Sequence, residues 1–536
     1  MLNRKQRNIG LLTGLVATFV PVALIELSVL HHTNGSFIYP VDDTFIHLEL
    51  ANNLANYGNW GINSHEFGSA SSSLLYTLLL GLFTKIFSSG ILLPFIINAI
   101  AGILLLIAIN NWLAKQRLST TAIVFINLLV VFFTPLPILV ISGMEHTLQC
   151  LFSFLLLFYS CEWVAAVREK DSIQKLPWTI PVYGMLATAI RYEGLFLVGI
   201  VCLVFMYYRQ WTSSLKTGFI ALLPVIVFGT YSVWKGSYFL PNSVLIKSNE
   251  VPLFGAGIAH FFETLFVDKL TLSKPGITAM ATQRLLLILP AVYLLFLKQL
   301  RANFYYTLVL IVLTACTLLH LSLASTGKFY RYEAYLFACS IVICATVFLK
   351  FLKAVFPERI SLVSFAAIFL FFFLLLPAVL RSAAAFSKAE RACINIYEQQ
   401  YQMGHFLKTY YPDSGIAAND IGAVAYYTKG NVLDLWGLGS IEVSRSRKNH
   451  YWNADFLDSL SKRKNVKLAV IYDSWFNNAF VSKWKKVATW GIPDNVVCGD
   501  DTVSFYAVDS SMANTLKQNL QQYQEKLPGE VSVKYY

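Results

Sequence analysis

Apolar stretches long enough to cross a lipid bilayer recur from residue 9 to about residue 380, and they constrain the fold more than any other feature. A transmembrane helix needs about 20 mostly apolar residues. The sequence therefore predicts a polytopic α-helical membrane protein with about 11 spans. The stretches cover residues 9–30, 91–112, 119–141, 143–167, 177–190, 191–208, 216–236, 283–300, 303–325, 333–352 and 358–380.

The basic loops between these stretches predict their orientation. Loops such as NWLAKQR, REKDSIQK and LKQLRANF hold many of the lysines and arginines, and such loops stay in the cytoplasm. This rule accounts for the net charge of +12 without a nucleic-acid partner. No cleavage site follows the first stretch, so we expect an uncleaved span and a cytoplasmic N-terminus. Residues 72–88 are then interfacial or re-entrant; alternatively they cross, and residues 177–208 form a single span.

Composition changes after residue 380, which predicts two domains. Residues 1–380 form the membrane module, with an external loop at 31–90, and residues 381–536 form a soluble domain outside the cytoplasm. Strand-like segments such as GIAAND and VKLAVIYD alternate with helical ones, which predicts a small α/β domain with a largely parallel sheet. No nucleotide-binding motif occurs in it. Cys393 and Cys498 could pair there if the compartment is oxidising.

The segment YPVDDTFIHLEL, after the first span, concentrates ionisable residues beside the predicted bilayer. If a helix begins here, Asp43 and His47 share one face. Capping of the helix start explains a single aspartate. It does not by itself explain the pair Asp42 and Asp43 together with His47 and Glu49, which suggests a functional site. A carboxylate at this position could act as a general base towards a hydroxyl or hold a divalent cation.

Other polar residues fall at span ends on the same predicted face. Each alone could anchor its helix at the interface, but together they place several cations opposite the acidic pair. Arginine and lysine in such an arrangement suit a phosphate head group. The serine run 69–73 has two explanations, close helix packing or a substrate-facing turn. The candidate residues are Glu145, Arg191, Asn242, Lys247, Lys328, Arg331 and Tyr332.

These residues suggest one reaction. The phosphate of a lipid-linked substrate would bind Lys247, Lys328 and Arg331, with the lipid tail between helices. A carboxylate would activate an acceptor hydroxyl, and attack at the sugar carbon would expel the lipid phosphate, whose charge the cations stabilise. Such a glycosyl transfer needs no nucleotide at the site.

Several motifs follow one another in a familiar order: DDTFIHLELANNLANYGNWGIN, SGMEHTL, RYEGLF, PNSVLIKS, RYEAYLF and DIGAVAYYTKGNVLDLWGL. The series resembles the GT-C superfamily of polyprenyl-phosphate-dependent glycosyltransferases, and within it bacterial proteins similar to terminal arabinofuranosyltransferases. The resemblance implies a multispan module in the bacterial inner membrane and an inverting reaction. The donor would be a polyprenyl-phosphate sugar, and the acceptor a glycan, a glycolipid or a protein.

The resemblance also assigns roles to residues. It places the catalytic carboxylate in the first external loop, on Asp42 or Asp43, and the basic positions on Arg191, Lys247 and Arg331. Tyr192 stands where the subgroup often has proline before Glu-Gly, which puts the donor sugar in question. Some relatives use a divalent cation, but no recognisable set of metal ligands occurs in this sequence.

Three other functions remain open at this stage. A transporter or flippase for a lipid-linked or anionic substrate would place charges near the bilayer midplane, commonly with inverted repeats. A lipid-linked-glycan ligase would favour arginine and histidine in a large central loop. A sensor that binds a ligand in its C-terminal domain would leave the acidic cluster at 42–49 without a role.

Overall fold

Long apolar helices make up most of the membrane module. The computed structural model describes residues 4–87, 90–170, 174–247, 276–355, 362–428, 430–476 and 481–536. The helices up to residue 247 are α1 (Arg4–His32), α2 (Asp43–Tyr57), α3 (Leu74–Phe87), α4 (Leu93–Lys115), α5 (Thr120–Phe133), α6 (Leu136–Ile141), α7 (His146–Lys170), α8 (Thr179–Ile190), α9 (Gly194–Tyr207), α10 (Trp211–Trp234) and α11 (Asn242–Lys247). Those that follow are α12 (Ile277–Leu295), α13 (Leu297–Arg301), α14 (Phe304–Leu323), α15 (Ala334–Val355) and α16 (Leu362–Ile396).

Eight helices of the described ranges are long and apolar enough to cross a bilayer. The chain is thus a multi-pass membrane protein, and the predicted class of fold is confirmed. These eight helices correspond to eight of the about 11 predicted spans. The other three predicted spans correspond to the shorter apolar helices α5, α8 and α9, and a fourth short helix, α3, lies in the segment 72–88 that was predicted to be interfacial or re-entrant.

Local breaks explain the short lengths of α5, α8 and α9, and the break at Arg191 agrees with the prediction of separate spans 177–190 and 191–208. The stretch 119–141 is divided after Phe133, where Pro135 adopts a non-helical conformation before α6 begins. Residues 177–208 are divided at Arg191, whose backbone is extended (φ −157°, ψ 139°). Helix α3 has 14 residues, and a helix of that length reaches only about 21 Å, against a hydrocarbon core of about 30 Å.

The C-terminal domain contains a mixed six-stranded sheet. Its strands are β1 (Gly415–Ala418), β2 (Val432–Asp434), β3 (Val466–Ile471), β4 (Lys485–Gly491), β5 (Thr502–Ala507) and β6 (Ser532–Tyr535). The order is β2-β1-β3-β5-β4-β6. Only β2, β1 and β3 are parallel, so the expectation of a largely parallel sheet was wrong for the other half. Strands β4 and β6 add antiparallel pairs that the sequence analysis did not predict.

Helices cover this sheet, and most of them match helical segments of the sequence. They are α17 (Gln402–Tyr410), α18 (Gly422–Thr428), α19 (Ile441–Lys448), α20 (Ala454–Arg463) and α21 (Ala513–Tyr523). The side chain of Asn453 caps α20 by accepting a hydrogen bond from the N–H of Phe456 at 3.0 Å. Helix α16 continues through residue 380 and reaches α17 through a short π-helical segment, Tyr397–Tyr401.

The membrane module and the C-terminal domain share a hydrophobic core. Ile46 and Leu50 of α2 and Phe228 of α10 belong to the same buried cluster as Phe406 and Trp490 of the C-terminal domain. Burial of such side chains typically contributes about 1.5–3 kcal/mol each. Helix α2 is therefore fixed against the C-terminal domain.

Both cysteines of the C-terminal region are free thiols. Cys393 packs among apolar side chains of α1 and α6, whereas the thiol of Cys498 donates to Oε1 of Gln400 at 3.2 Å. The pairing considered from the sequence is therefore absent from this structure, because the two cysteines belong to different clusters.

Candidate functional site

A cavity of about 670 Å³ lies between the membrane helices and the C-terminal domain. The parts of the chain that line it include the loop before α2, the turn before α15, the C-terminal half of α16, and the segments that follow β1, β2 and β3. The cavity thus collects carboxylates and cations from segments that are far apart in the chain. Its charged lining residues are Asp42, Asp43, Lys328, Arg331, Lys388, Asp420 and Arg447.

Asp43 and Arg331 form an ion pair in the wall of this cavity. Nη2 of Arg331 donates to Oδ2 of Asp43. The Arg331 side chain is only 4% exposed, whereas Asp43 keeps 25% of its side-chain surface exposed. Within the described ranges, no group accepts a hydrogen bond from Nε or Nη1 of Arg331. Because buried polar groups are normally hydrogen-bonded, these two nitrogens can bind an anion.

The turn that carries Arg331 has a left-handed backbone. Gly327, Lys328, Phe329 and Tyr330 all have positive φ, between 45° and 87°. Only glycine adopts this region at no steric cost, so the three residues with side chains store strain of about 1–3 kcal/mol each. Strained backbone of this kind persists only where surrounding contacts hold it.

Those contacts come from Arg381 of α16. Its Nη2 donates to the carbonyl oxygen of Tyr330 at 2.6 Å, and its Nε and Nη2 donate to Oε1 of Glu333 at 2.9 and 2.6 Å. The other carboxylate oxygen of Glu333 accepts the N–H of Gly327 at 2.8 Å. Both side chains of the ion pair are fully buried, at 0% exposure. Arg381 thereby fixes both ends of the left-handed turn.

Asp42 faces the C-terminal domain instead. Its Oδ2 and Oδ1 accept the backbone N–H groups of Gly422 and Ala423, at 2.6 and 2.7 Å, where α18 begins. A Cβ at position 422 would lie 2.1 Å from the main-chain oxygen of Asp42, so the approach requires glycine. Burial and the nearby carboxyl of Asp420 raise the pKa of Asp42 well above its usual range, against the lowering effect of the two N–H donors.

A second network of charges surrounds Arg191. Its Nη1 donates to Oε1 of Glu145 at 2.7 Å, and its Nη2 donates to Oε1 of Glu193 at 2.5 Å. Nε2 of His47 lies 3.5 Å from the other oxygen of Glu145. Burial opposes ionisation of Glu145, but Arg191 and His47 outweigh it, so its pKa lies below the usual range. With both carboxylates engaged, Arg191 holds α7, α8 and α9 together.

Tyr332 connects the polar cavity to a smaller, mainly apolar one. Its side chain lies in the lining of both. The ring stacks on His146 at 5.5 Å between centroids, and the guanidinium groups of Arg191 and Arg331 lie 4.9 and 5.4 Å from its centre. The smaller cavity has a volume of about 230 Å³, and its apolar lining residues are Leu195, Phe196, Leu240, Val244, Leu323 and Ala324. A charged cavity thus adjoins a space suited to hydrocarbon.

The opposite wall of the main cavity is the carboxyl edge of the parallel strands. Asp420 follows β1, Trp436 follows β2 and Trp475 follows β3, and all three line the cavity. Open α/β sheets commonly bind ligands at this edge. The carboxylate of Asp434 fixes the turn at Trp436 by accepting three backbone N–H groups, from residues 436, 437 and 439, at 2.6–3.0 Å.

The structure brings together five of the predicted site residues in the lining of the main cavity: Asp42, Asp43, Lys328, Arg331 and Tyr332. The network around Arg191 contains His47 and Glu145, and these three residues do not line the main cavity. Asn242 is fully buried, and no described group hydrogen-bonds its side-chain amide. Lys247 ends α11, and its side chain lies outside the described residues.

Sequence reasoning missed Asp420, Trp436, Arg447 and Arg381. The positions of Asp420 and Trp436 just after strand-like segments could have identified them, since ligands gather at strand ends. No sequence pattern marked Arg381, which lies in an apolar helix. Among the residues that the structure describes, no group of three or more histidine, cysteine or acidic side chains could hold a metal ion.

The fold and site define a multi-pass membrane protein with a polar cavity between its helices and an α/β domain. A family model described as Domain of unknown function (DUF8728) matches residues 394–506. No curated protein has a sequence that matches this chain.

The chain is similar to two structures from Archaeoglobus fulgidus. One is an oligosaccharyltransferase in the apo form, with 12% identity and a TM-score of 0.46. The other is the oligosaccharyltransferase AglB in complex with an inhibitory peptide and a dolichol-phosphate, with 13% identity and a TM-score of 0.45. Each likeness covers 92% of this chain and 74% of the other.

Proposed function

We propose that the protein is a membrane glycosyltransferase of the GT-C type that transfers a sugar from a polyprenyl-phosphate donor to an acceptor hydroxyl. The observation that carries the proposal is the Asp43–Arg331 pair. An accessible carboxylate and a guanidinium with two unpartnered nitrogens share one cavity, which adjoins an apolar space. Glycosyl transfer from a lipid phosphate requires a base, a phosphate site and room for a hydrocarbon chain.

Asp43 is the better candidate for the base. Both oxygens of Asp42 are engaged by backbone N–H groups of the C-terminal domain, and Asp42 is only 8% exposed. Asp43 keeps a quarter of its side-chain surface open towards the cavity. A general base must come within hydrogen-bond reach of the proton it removes, and Asp43 satisfies this condition without dissociation of the two domains.

The donor phosphate is assigned to Arg331, with Lys328 as a second cation in the same lining. The first isoprene units extend past Tyr332 into the apolar cavity. The acceptor oxygen attacks the anomeric carbon as Asp43 takes its proton. The bond from that carbon to the phosphate oxygen breaks with inversion, and Arg331 stabilises the charge on the departing phosphate.

The acceptor is assigned to the carboxyl edge of the parallel strands. Trp436 and Trp475 are partly exposed there, with ring centroids 4.7 Å apart, and the guanidinium of Arg447 lies 3.7 Å from the centre of the Trp436 ring. Aromatic faces with adjacent polar groups suit the alternating apolar and hydroxyl surfaces of a sugar ring. A glycan or glycolipid acceptor fits this wall best, and the bacterial inner membrane is the proposed location.

The test combines identification of the lipid with transfer by reconstituted protein. Lipid that copurifies with the full chain is identified by mass spectrometry, and the polyprenyl-phosphate sugar so found is then used as donor. We expect Asp43→Asn to lower the transfer rate at least about 100-fold, as removal of a general base does. Arg331→Gln should remove donor binding as well as transfer.

Trp436→Ala should raise the acceptor KM while donor binding is unchanged, and Trp178→Ala, an exposed tryptophan outside the cavity, serves as control. Full transfer activity in Asp43→Asn would disprove the role of this residue. A lipid without a prenyl chain would instead favour a transporter.

A further inference from the structure

A second large polar cavity lies at the far end of the helices that carry the first. Its volume is about 690 Å³. It is formed by the C-terminal ends of α4, α7, α13 and α15 and the N-terminal end of α14. No residue that lines the first cavity lines this one.

The two cavities lie on opposite faces of the membrane module. His146, at the start of α7, stacks on Tyr332 of the first site, and α15 begins three residues after Arg331. The other ends of α7 and α15 reach the second cavity. Helix α7 has 25 residues, and a helix of that length spans about 37 Å, enough to cross the hydrocarbon core of about 30 Å.

The charges around the second cavity are unbalanced. Lys115 pairs with Glu162 at 2.8 Å. Of the remaining charged lining residues, Arg168, Arg301 and Lys350 are cations and Glu169 is the single carboxylate. Within the described ranges none of these three cations forms an ion pair. The guanidinium of Arg168 packs on the ring of Phe304 at 4.1 Å, and a guanidinium packed on an aromatic ring still has N–H groups that can bind an anion.

A buried hydrogen-bonded group fixes the position of the third cation. Nζ of Lys350 donates to the hydroxyl of Tyr306 at 2.8 Å, and that hydroxyl donates to Oε1 of Gln116 at 2.6 Å. Tyr306 and Gln116 are 4% and 8% exposed. The lysine is therefore held at the cavity by a preorganised group, unlike a surface lysine that is free in solvent.

We propose that this cavity binds a phosphate group, supplied by the head group of an anionic membrane lipid on the face opposite to the glycosyl-transfer site. Arg168, Arg301 and Lys350 are its ligands. The apolar helix surfaces beside the cavity accommodate the acyl chains. Phe304 and Tyr305 line the cavity, and aromatic rings are enriched at head-group depth. The proposal does not depend on the proposed function.

The experiment measures lipid binding by the full chain in nanodiscs. Protein in phosphatidylcholine is compared with protein in phosphatidylcholine plus phosphatidylglycerol, with native mass spectrometry to count retained phosphatidylglycerol and the unfolding temperature as a second readout. A cation near anionic lipid contributes about 1 kcal/mol, so Arg168→Gln and Arg301→Gln should each weaken binding about fivefold.

Lys298→Gln is the matched control, because Lys298 lies in the same short helix as Arg301, is exposed and does not line the cavity. Equal loss in Lys298→Gln and Arg301→Gln would overturn the proposal, since it would indicate attraction to general surface charge. A parallel arm adds inorganic phosphate to phosphatidylcholine discs. Stabilisation there, removed by Arg301→Gln, would assign the site to a soluble phosphate; no response to either ligand would exclude a phosphate site.

Discussion

Asp42 and Asp43 are neighbours in the chain, yet they belong to different parts of the molecule. Asp42 binds backbone N–H groups of the C-terminal domain, and Asp43 pairs with Arg331 across the cavity. The sequence placed a pair of carboxylates at the start of α2 but could not separate their roles. The roles differ because Arg331 contacts Asp43 whereas Gly422 contacts Asp42. The sequence around the two aspartates does not encode these long-range contacts.

Asp42→Asn and Asp43→Asn should therefore have contrasting effects on stability. An asparagine at 42 can accept only one of the two N–H bonds and presents its own amide to the other, so we expect a loss of about 1–3 kcal/mol in the free energy of unfolding. Asp43→Asn should change stability less, because its carboxylate is partly exposed. Chemical denaturation of both variants measures this. Equal destabilisation by the two would contradict the assignment.

At the scale of single elements, the left-handed turn before α15 is the feature that the sequence did not predict. The sequence identified Lys328 and Arg331 as cations of a candidate site, but φ values of 45° to 63° at residues 328–330 contradict the local preference of those side chains. Arg381, about 50 residues later in an apolar helix, supplies the compensating contacts. Helices and strands with clear periodicity were predicted correctly because their local preferences agree with the fold.

Arg381→Gln should destabilise the protein and disorganise the phosphate site together. It leaves Glu333 buried without its partner, which typically costs about 3–5 kcal/mol. Ser387→Ala is the control on the same helix: Ser387 is exposed and does not line the cavity, so its loss should change stability by about 0.5 kcal/mol or less. Unfolding temperature and donor binding are measured for both. Normal donor binding by folded Arg381→Gln would show that the turn keeps its shape without Arg381.

At the scale of the whole molecule, contacts between the membrane module and the C-terminal domain create the site. The hydrogen bond from Gly422 to Asp42 joins residues 380 apart in sequence. Composition predicted two kinds of structure, one apolar and one soluble, and each predicted span overlaps an apolar helix, but most helices begin and end some residues away from the predicted bounds. The association of the two parts, and with it the cavity, could not be predicted, because periodicity describes each element separately.

The Asp42–Asp420 contact should make the stability of this association depend on pH. Burial raises the pKa of both carboxyls, so the folded protein retains a proton that the unfolded chain releases above about pH 4. Stability is then full below that pH and falls as pH rises towards the raised pKa, by up to about 1.4 kcal/mol per pH unit for one proton. Unfolding at a series of pH values measures the slope.

Asp420→Asn should reduce this slope, because a neutral amide beside Asp42 lets its carboxylate ionise in the folded state. Asp413→Asn, in an exposed position of the same domain, should leave the slope unchanged. If Asp420→Asn retained the wild-type slope, the pH dependence would have to come from other groups.

The anchoring of the left-handed turn also determines when the site can form during synthesis. The turn at 327–330 is held by Arg381, and the loop before α2 is held by Gly422 and Ala423. A nascent chain that ends before residue 381 has the acidic loop and the cationic turn but lacks the contacts that shape either one. The cavity therefore assembles late, and an incomplete polypeptide in the membrane lacks the geometry of the proposed donor site.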